Sequence, residues 1–176
     1  GVVGYGNIGR RVCEIARAFN MNVLVHTAHP EKYIDEKNMP GGDAETGCFK
    51  EEHLHIDDGV RKIHFVDIDT LLAQSDILSL HCPLTSETEG IINKSNIDKM
   101  KDGVIIINVS RGGLVVENDL AKALADGKVS AAGVDVVAVE PMKEDNPLLK
   151  APNIIITPHM AWASLDARKR LVDVVA

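Results

Sequence analysis

The chain has 176 residues, which is the size of one domain with a sizeable core, and its 45% hydrophobic and 26% charged residues are typical of a globular protein. The net charge of -7, without a basic cluster, argues against nucleic acid as a partner, and no apolar stretch has the length of a membrane span or the features of a signal peptide. Cys13, Cys48 and Cys82 have no metal-ligand spacing and indicate reduced thiols in a cytoplasmic protein.

Apolar segments of strand length alternate with helical patterns along most of the chain. The first segment, GVVG, precedes a helix that is predicted from about Asn7 to Phe19. Further strands are predicted at 22–26, 62–66, 76–80, 104–109, 129–136 and 153–157, and further helices at 67–75, 94–100, 116–127 and after Ser164. Strands that are apolar throughout indicate a parallel sheet with helices on both faces. The predicted fold class is therefore α/β, a doubly wound parallel sheet of the Rossmann type.

Residues 28–61 interrupt this alternation. The stretch is polar, contains PGG and is too long for a simple connection, so we interpret it as an insertion within one domain that spans 1–176. The histidines and the cysteine in and just after this stretch raise the alternative of a metal site formed by Cys48, His53, His55 and His64. Their spacing matches no zinc motif, and we predict no metal.

The segment GVVGYGNIGR contains Gly4, Gly6 and Gly9 in the spacing G-x-G-x-x-G, between a predicted strand and a predicted helix. In this context the first glycine permits a tight turn, the second lets a pyrophosphate approach the backbone, and the third lets the helix pack on the strand. The free amides at the start of the helix, near Asn7 and Ile8, then bind phosphate. The motif predicts a dinucleotide site.

The end of the second strand is ambiguous about which dinucleotide is bound. Thr27 stands where an acidic residue is expected to bind the adenosine ribose of NAD. His29 and Lys32 are near enough in sequence to bind the additional phosphate of NADP, but the segment contains no arginine. The sequence therefore leaves NAD and NADP open.

Three charged or titratable residues follow predicted strands, namely Arg111, Glu140 and His159. The carboxyl ends of the strands form the ligand crevice of an open parallel sheet. Arginine binds a carboxylate through two parallel hydrogen bonds, histidine transfers a proton near neutral pH, and glutamate orients such a histidine. Taken singly, Arg111 also fits a structural ion pair, Glu140 a solvated turn residue, and His159 a structural hydrogen-bonding group. Together, after a dinucleotide motif, they indicate reduction of a 2-keto acid by a nicotinamide cofactor.

These motifs resemble those of one family. NVSRGGLVVENDLAKAL, AAGVDVVAVEP and NPLLKAPNIIITPHMA closely resemble the NAD-binding domain of the D-isomer-specific 2-hydroxyacid dehydrogenases, and GYGNIG and SDILSLHCPLTSETEGIIN fit the same family. The resemblance covers nearly the whole chain apart from 28–61. Ala-Trp-Ala after the histidine is most similar to the glycerate dehydrogenase, or hydroxypyruvate reductase, branch. The resemblance implies an oxidoreductase of small D-2-hydroxy acids, with D-glycerate and hydroxypyruvate as the expected pair, that acts as a cytoplasmic homodimer.

The resemblance also implies roles for individual residues. Arg111 is expected to bind the substrate carboxylate, and His159 to be the general acid in reduction and the base in oxidation, with Glu140 as its partner. Asp135 is expected to bond the nicotinamide carboxamide. The other residues implied to contact the cofactor are Gly4, Gly6, Asn7, Ile8, Gly9, Thr27, His81, Cys82, Pro83, Thr88, Val109, Ser110 and Ala161, together with Arg111 and His159. Thr27 departs from the usual aspartate of the family.

The family also has a second domain that closes over the substrate and is built from segments before and after this one. Here the glycine motif follows a strand of only three or four residues, and the chain ends within a helical pattern, so we expect truncation at both ends and little catalysis by these residues alone. A different class stays open, because corepressors that resemble this family use dinucleotide binding to control assembly. Other Rossmann enzymes, such as alanine dehydrogenase and adenosylhomocysteinase, do not explain Arg111, Glu140 and His159 at the ends of their strands.

Overall fold

The computed structural model describes residues 1–33, the backbone of 55–56, and residues 63–175. The strands are β1 (Val2–Val3), β2 (Val23–His26), β3 (His55–Ile56), β4 (Ile63–Phe65), β5 (Ile77–Leu80), β6 (Val104–Asn108), β7 (Val129–Val134) and β8 (Ile154–Ile156). The helices are α1 (Asn7–Ala18), α2 (Ile68–Gln74), α3 (Lys94–Lys99), α4 (Glu117–Ala125) and α5 (Leu165–Val175). Short 3₁₀ turns lie at Pro30–Tyr33, Gly112–Leu114 and Pro147–Lys150. The predicted alternation of strands and helices is confirmed.

The strands form one sheet in the order β3-β4-β2-β1-β5-β6-β7-β8. All neighbouring strands are parallel except β3, which pairs antiparallel with β4. The chain proceeds outward from β1 in one direction and then returns to add β5 on its other side. The sheet therefore has its switch point between β1 and β5, where ligands bind in doubly wound folds.

Helices cover both faces of the sheet, as predicted. On one face α1 packs on a cluster that contains Val2, Cys13, Val23, Val25, Ile63 and Phe65. On the other face α2, α3 and α4 pack on a larger cluster, whose fully buried members include Leu71, Leu72, Leu78, Leu80, Ile106 and Leu120. Each such side chain contributes roughly 1.5–3 kcal/mol to folding through burial. The sheet is therefore a firm base for the loops at its carboxyl edge.

Polar side chains begin three of the helices. The Asp67 carboxylate accepts a hydrogen bond from Thr70 N at 2.8 Å, and this contact, with that from the Thr70 hydroxyl, lowers the pKa of Asp67. Asn93 caps α3 in the same manner, and the predicted cap Ser164 accepts from Ala167 N at 3.3 Å. Such caps typically contribute about 1 kcal/mol each.

Most of the predicted insertion at 28–61 lies outside the described residues, including Cys48 and His53. In its described part, Tyr33 packs edge-on against Tyr5 with ring centroids 5.1 Å apart. Within residues 1–33 and 63–175, no group of three metal-ligating side chains occurs. Among the helices of those ranges, none has the length and apolar character that crossing a membrane requires.

Candidate active site

The turn between β1 and α1 contains the three motif glycines. Gly4 has a φ of 98°, and a Cβ there would lie 2.6 Å from Cys82 N, while a Cβ at Gly9 would lie 2.0 Å from Gly4 O. A Cβ at Gly6 would meet nothing within 4 Å. Because the first amides of a helix have no partner within the helix, this exposed backbone in front of α1 suits a phosphate. The turn fits the expected dinucleotide.

The loop after β5 lies against this turn. Cys82 is buried, which raises the pKa of its thiol, and its carbonyl accepts a hydrogen bond from Ser110 Oγ at 2.6 Å. His81 is half-buried, and its Nε2 lies 2.8 Å from Ser79 Oγ. Burial lowers the pKa of His81, which favours the neutral ring. Ser110 thus connects the loop after β5 to the loop after β6.

Thr88 closes the same loop. Its Oγ1 donates to the carbonyl of Pro83 at 2.6 Å and accepts from Thr85 N at 2.8 Å. These contacts fix the backbone of Pro83, so the Thr88 hydroxyl stabilises the conformation of this loop. Two further residues expected at the cofactor also lie beyond strands, with Thr27 half-buried after β2 and Val109 exposed after β6.

Arg111 lies beyond β6 with an exposed side chain. Its Nη1 donates to Ser110 O at 2.8 Å, and none of the described carboxylates forms an ion pair with it. The buried Asn108 fixes the turn, because its Nδ2 donates to Arg111 O at 2.9 Å and its Oδ1 accepts from Ser110 N at 3.1 Å. The turn therefore holds the Arg111 backbone and leaves the guanidinium able to bind an anion.

Gly112 brings the Arg111 turn against the loop after β7. A Cβ at Gly112 would lie 1.9 Å from the carbonyl carbon of Val137 and 2.5 Å from Ala138 N. A larger residue is therefore excluded unless the backbone moves. This contact ties the loop that carries Arg111 to the loop that carries Glu140.

Glu140 and His159 form a close pair, with His159 Nδ1 2.7 Å from Glu140 Oε2. The hydrogen bond from His159 lowers the pKa of Glu140, so the carboxylate is ionised and can only accept. His159 Nδ1 must therefore carry the proton of this hydrogen bond. The other ring nitrogen, Nε2, has no hydrogen-bond partner among the described residues. The His159 side chain is 43% exposed and the Glu140 side chain is 38% exposed, so the pair faces the crevice.

Asp135 holds the segment that carries His159. The residue is only 4% exposed, and its carboxylate accepts from the Thr157 hydroxyl, from Met160 N at 2.9 Å and from Ala161 N at 2.8 Å. Its backbone oxygen accepts from His159 N at 2.8 Å. Burial acts to raise the pKa of Asp135, but these side-chain hydrogen bonds and the nearby His159 outweigh it and lower the pKa. Since a carboxylate has about four acceptor positions, one stays open to a further donor.

The segment after β8 is held in an unusual conformation. His159 has a φ of 51°, in the left-handed region that few residues other than glycine and asparagine adopt. The indole N–H of Trp162, the single tryptophan of the chain, donates to His159 O at 2.8 Å. Together with the bond from His159 N to Asp135 O, this contact fixes the backbone of His159.

The candidate residues lie on adjacent strands. Arg111, Glu140 and His159 follow β6, β7 and β8, in which Asn108, Val134 and Ile156 are in register. The three therefore lie at one edge of the sheet, on the same side as the glycine turn. A cavity of about 420 Å³ beside the pair is lined by Asp135, Val137, Glu140, Pro141, Met142, Ile156, Thr157, Pro158 and His159. This edge therefore brings together the amides at the start of α1, the Arg111 guanidinium and the His159 imidazole, which are groups chemically able to bind a phosphate, to bind a carboxylate and to transfer a proton.

Sequence reasoning did not identify Thr157 as a site residue. It directly follows the apolar strand β8, two residues before His159, and its hydroxyl donates to Asp135. The polar threonine directly after three isoleucines was the feature of the sequence that could have identified it. The two backbone amides at Met160 and Ala161 that also bind Asp135 have no signal in the side-chain pattern.

Comparisons with known proteins show the family of the chain. The family model for the NAD-binding domain of the D-isomer-specific 2-hydroxyacid dehydrogenases matches residues 1–51 and 41–161. The chain belongs to this family.

Relatives of known name and structure are also similar. A hydroxypyruvate reductase of Blautia hydrogenotrophica is 49% identical over 99% of this chain and 47% of its own length, and a glycerate dehydrogenase of Methylorubrum extorquens is 39% identical over 98% and 46%. The crystal structure of a glyoxylate reductase from Paecilomyes thermophila is similar over 99% of this chain and 46% of the reductase chain. Its TM-score is 0.75 and its sequence identity is 35%. The chain thus spans about half the length of these relatives.

Proposed function

We propose that the chain is the nucleotide-binding domain of a D-2-hydroxyacid dehydrogenase that interconverts hydroxypyruvate and D-glycerate. The observation that carries the proposal is the contact of 2.7 Å between His159 Nδ1 and Glu140. This contact leaves His159 Nε2 open at the sheet edge where Arg111 has no carboxylate partner among the described residues. The arrangement supports proton transfer to a keto acid bound through its carboxylate.

The residues act in distinct ways in this proposal. Arg111 binds the substrate carboxylate, and His159 Nε2 donates a proton to the keto oxygen during reduction. Glu140 holds the ring through Nδ1 and balances the positive charge of the protonated imidazole. The glycine turn and the start of α1 hold the pyrophosphate, and Asp135 offers its open acceptor position to the carboxamide. When bound, the nicotinamide supplies the hydride.

Catalysis, in this proposal, needs a second domain. Curated relatives are about twice as long as the segment they share with this chain. We propose that residues 1–176 act within a longer protein, as a domain with an insertion at 28–61, and that a substrate domain closes the crevice over Arg111. We further propose a homodimer in the cytoplasm, where the buried thiols of Cys13 and Cys82 remain reduced.

The cofactor choice depends on the end of β2. Thr27 supplies no negative charge that would repel the additional phosphate of NADP, while the contact of 3.1 Å between His29 Nδ1 and Glu31 offsets positive charge on that side. We propose that the site accepts both nucleotides. The corepressor alternative is disfavoured, since the relatives described above are named as reductases and dehydrogenases.

Steady-state kinetics of the full-length protein test this function. We expect kcat/KM to be higher for hydroxypyruvate than for glyoxylate, pyruvate or 3-phosphohydroxypyruvate, with measurable rates for both NADH and NADPH. The phosphorylated compound is the critical comparison, because it differs from hydroxypyruvate only by its phosphate. Equal or better turnover of 3-phosphohydroxypyruvate would refute the assignment to hydroxypyruvate.

A further inference from the structure

We propose that Glu117 is a positioning residue for the Glu140–His159 pair and that it acts through the loop between β7 and the 3₁₀ turn at Pro147–Lys150. This proposal rests on the function proposed above. Glu117 forms no hydrogen bond or ion pair with either side chain of the pair. It contacts the loop on both sides of Glu140 in the sequence.

Both carboxylate oxygens of Glu117 bind this loop. Oε1 accepts a hydrogen bond from Ala138 N at 2.8 Å, and Oε2 accepts from Asn146 Nδ2 at 2.9 Å. Asn146 is buried, and its Oδ1 accepts from Leu148 N at 2.9 Å. The carboxylate therefore bridges the two ends of the segment 138–146, which contains Glu140.

The loop needs external support because residues 135–146 contain no helix or strand. Glu117 begins α4, whose Leu120, Ala123 and Leu124 are buried in the core, so its carboxylate is mounted on a fixed element. Within the loop, Val137 N donates to Glu140 Oε1 at 3.2 Å. A shift of the backbone at 137–138 is therefore transmitted directly to the Glu140 carboxylate and through it to His159.

Hydrogen-bond polarity supplies a specific test. In Glu117→Gln, one oxygen can still accept from Ala138 N, but the new amide N–H group faces the Asn146 amide, which also donates. Asn146 cannot reverse its amide without losing the bond from Leu148 N. Asn146→Asp alone places two carboxylates face to face. The double variant restores a donor opposite an acceptor, since Asp at 146 can accept from both Gln at 117 and Leu148 N.

We expect each single variant to lower kcat for hydroxypyruvate reduction by about 10- to 100-fold, as for misplacement of a catalytic group. The basic limb of the pH profile should also move to lower pH, because a displaced Glu140 stabilises the protonated imidazole less. The double variant should recover both the rate and the pH profile. The affinity for NADH should change little in all three.

Asp119→Asn is the matched control. Asp119 also lies in the first turn of α4, and its carboxylate accepts from Lys94 N at 2.8 Å, which supports α3 and not the loop after β7. The pH profile of the Asp119→Asn protein should equal that of the wild type. Unchanged kcat and pH profile in Glu117→Gln would overturn the positioning role. If the single variants do not fold, a folded double variant without recovery of the pH profile would overturn it as well.

The two proposals fail in different ways. If the wild-type protein reduces no 2-keto acid, or if a His159 variant keeps full turnover, the proposed function is wrong. If turnover depends on His159 but is insensitive to Glu117, only the positioning role is wrong.

Discussion

His159→Asn should reduce turnover of hydroxypyruvate about 10²- to 10⁴-fold, the range expected for loss of a general acid. Asparagine is the appropriate replacement because residue 159 has a φ of 51°, which asparagine tolerates better than alanine. Its side-chain amide can still donate to Glu140. The substitution thus removes the second ring nitrogen while the loop is preserved.

NADH affinity should be close to that of the wild type in this variant. Isothermal titration calorimetry with NADH, run on the wild type and on the variant, measures this affinity directly. Glu140→Gln should lose less turnover, because His159 keeps its own proton donor. Turnover of His159→Asn within tenfold of the wild type would contradict the assigned role.

Arg111→Met should lower kcat/KM for hydroxypyruvate by about 10²- to 10³-fold, the cost of losing a paired charge at a binding site. The free energy of unfolding should change by less than about 0.5 kcal/mol, because the guanidinium is exposed and its hydrogen bond goes to the neighbouring Ser110 O. Arg111→Lys should be intermediate, since lysine keeps the charge but not the two parallel hydrogen bonds.

Initial rates over a range of hydroxypyruvate concentrations, with chemical denaturation in parallel, measure both effects. Arg170→Met is the control, because Arg170 is exposed on α5 and forms no ion pair with Glu140 or any other described carboxylate of the site. An Arg111→Met protein that keeps full catalytic efficiency would exclude a role in substrate binding.

The parts of the fold that follow from local chemistry were predictable. Continuous apolar segments such as 104–107 predicted the parallel sheet, and the glycine spacing predicted the turn between β1 and α1. The meeting of Glu140 with His159 also followed, because residues after adjacent parallel strands share one edge.

Other features depend on backbone atoms from distant segments and left little trace in the sequence. Asp135 was expected at the cofactor, yet three of its acceptor positions bind the segment 157–161. Glycine is needed at residue 112 because the backbone there lies very close to Val137. Strand β3 forms through antiparallel pairing with β4. Such contacts arise only when the tertiary structure brings the segments together, so periodicity and motif spacing do not reveal them.

Deuterium transfer tests the central claim most directly. The full-length protein is incubated with hydroxypyruvate and NADH deuterated at both C4 positions, and the product is analysed by mass spectrometry and chiral chromatography. We expect D-glycerate with one deuterium at C2, formed in equal amount to the oxidised nucleotide, and about 10²- to 10⁴-fold less of it when His159→Asn replaces the wild type over the same time. Unlabelled glycerate, the L isomer, or nucleotide binding without any turnover would contradict the account.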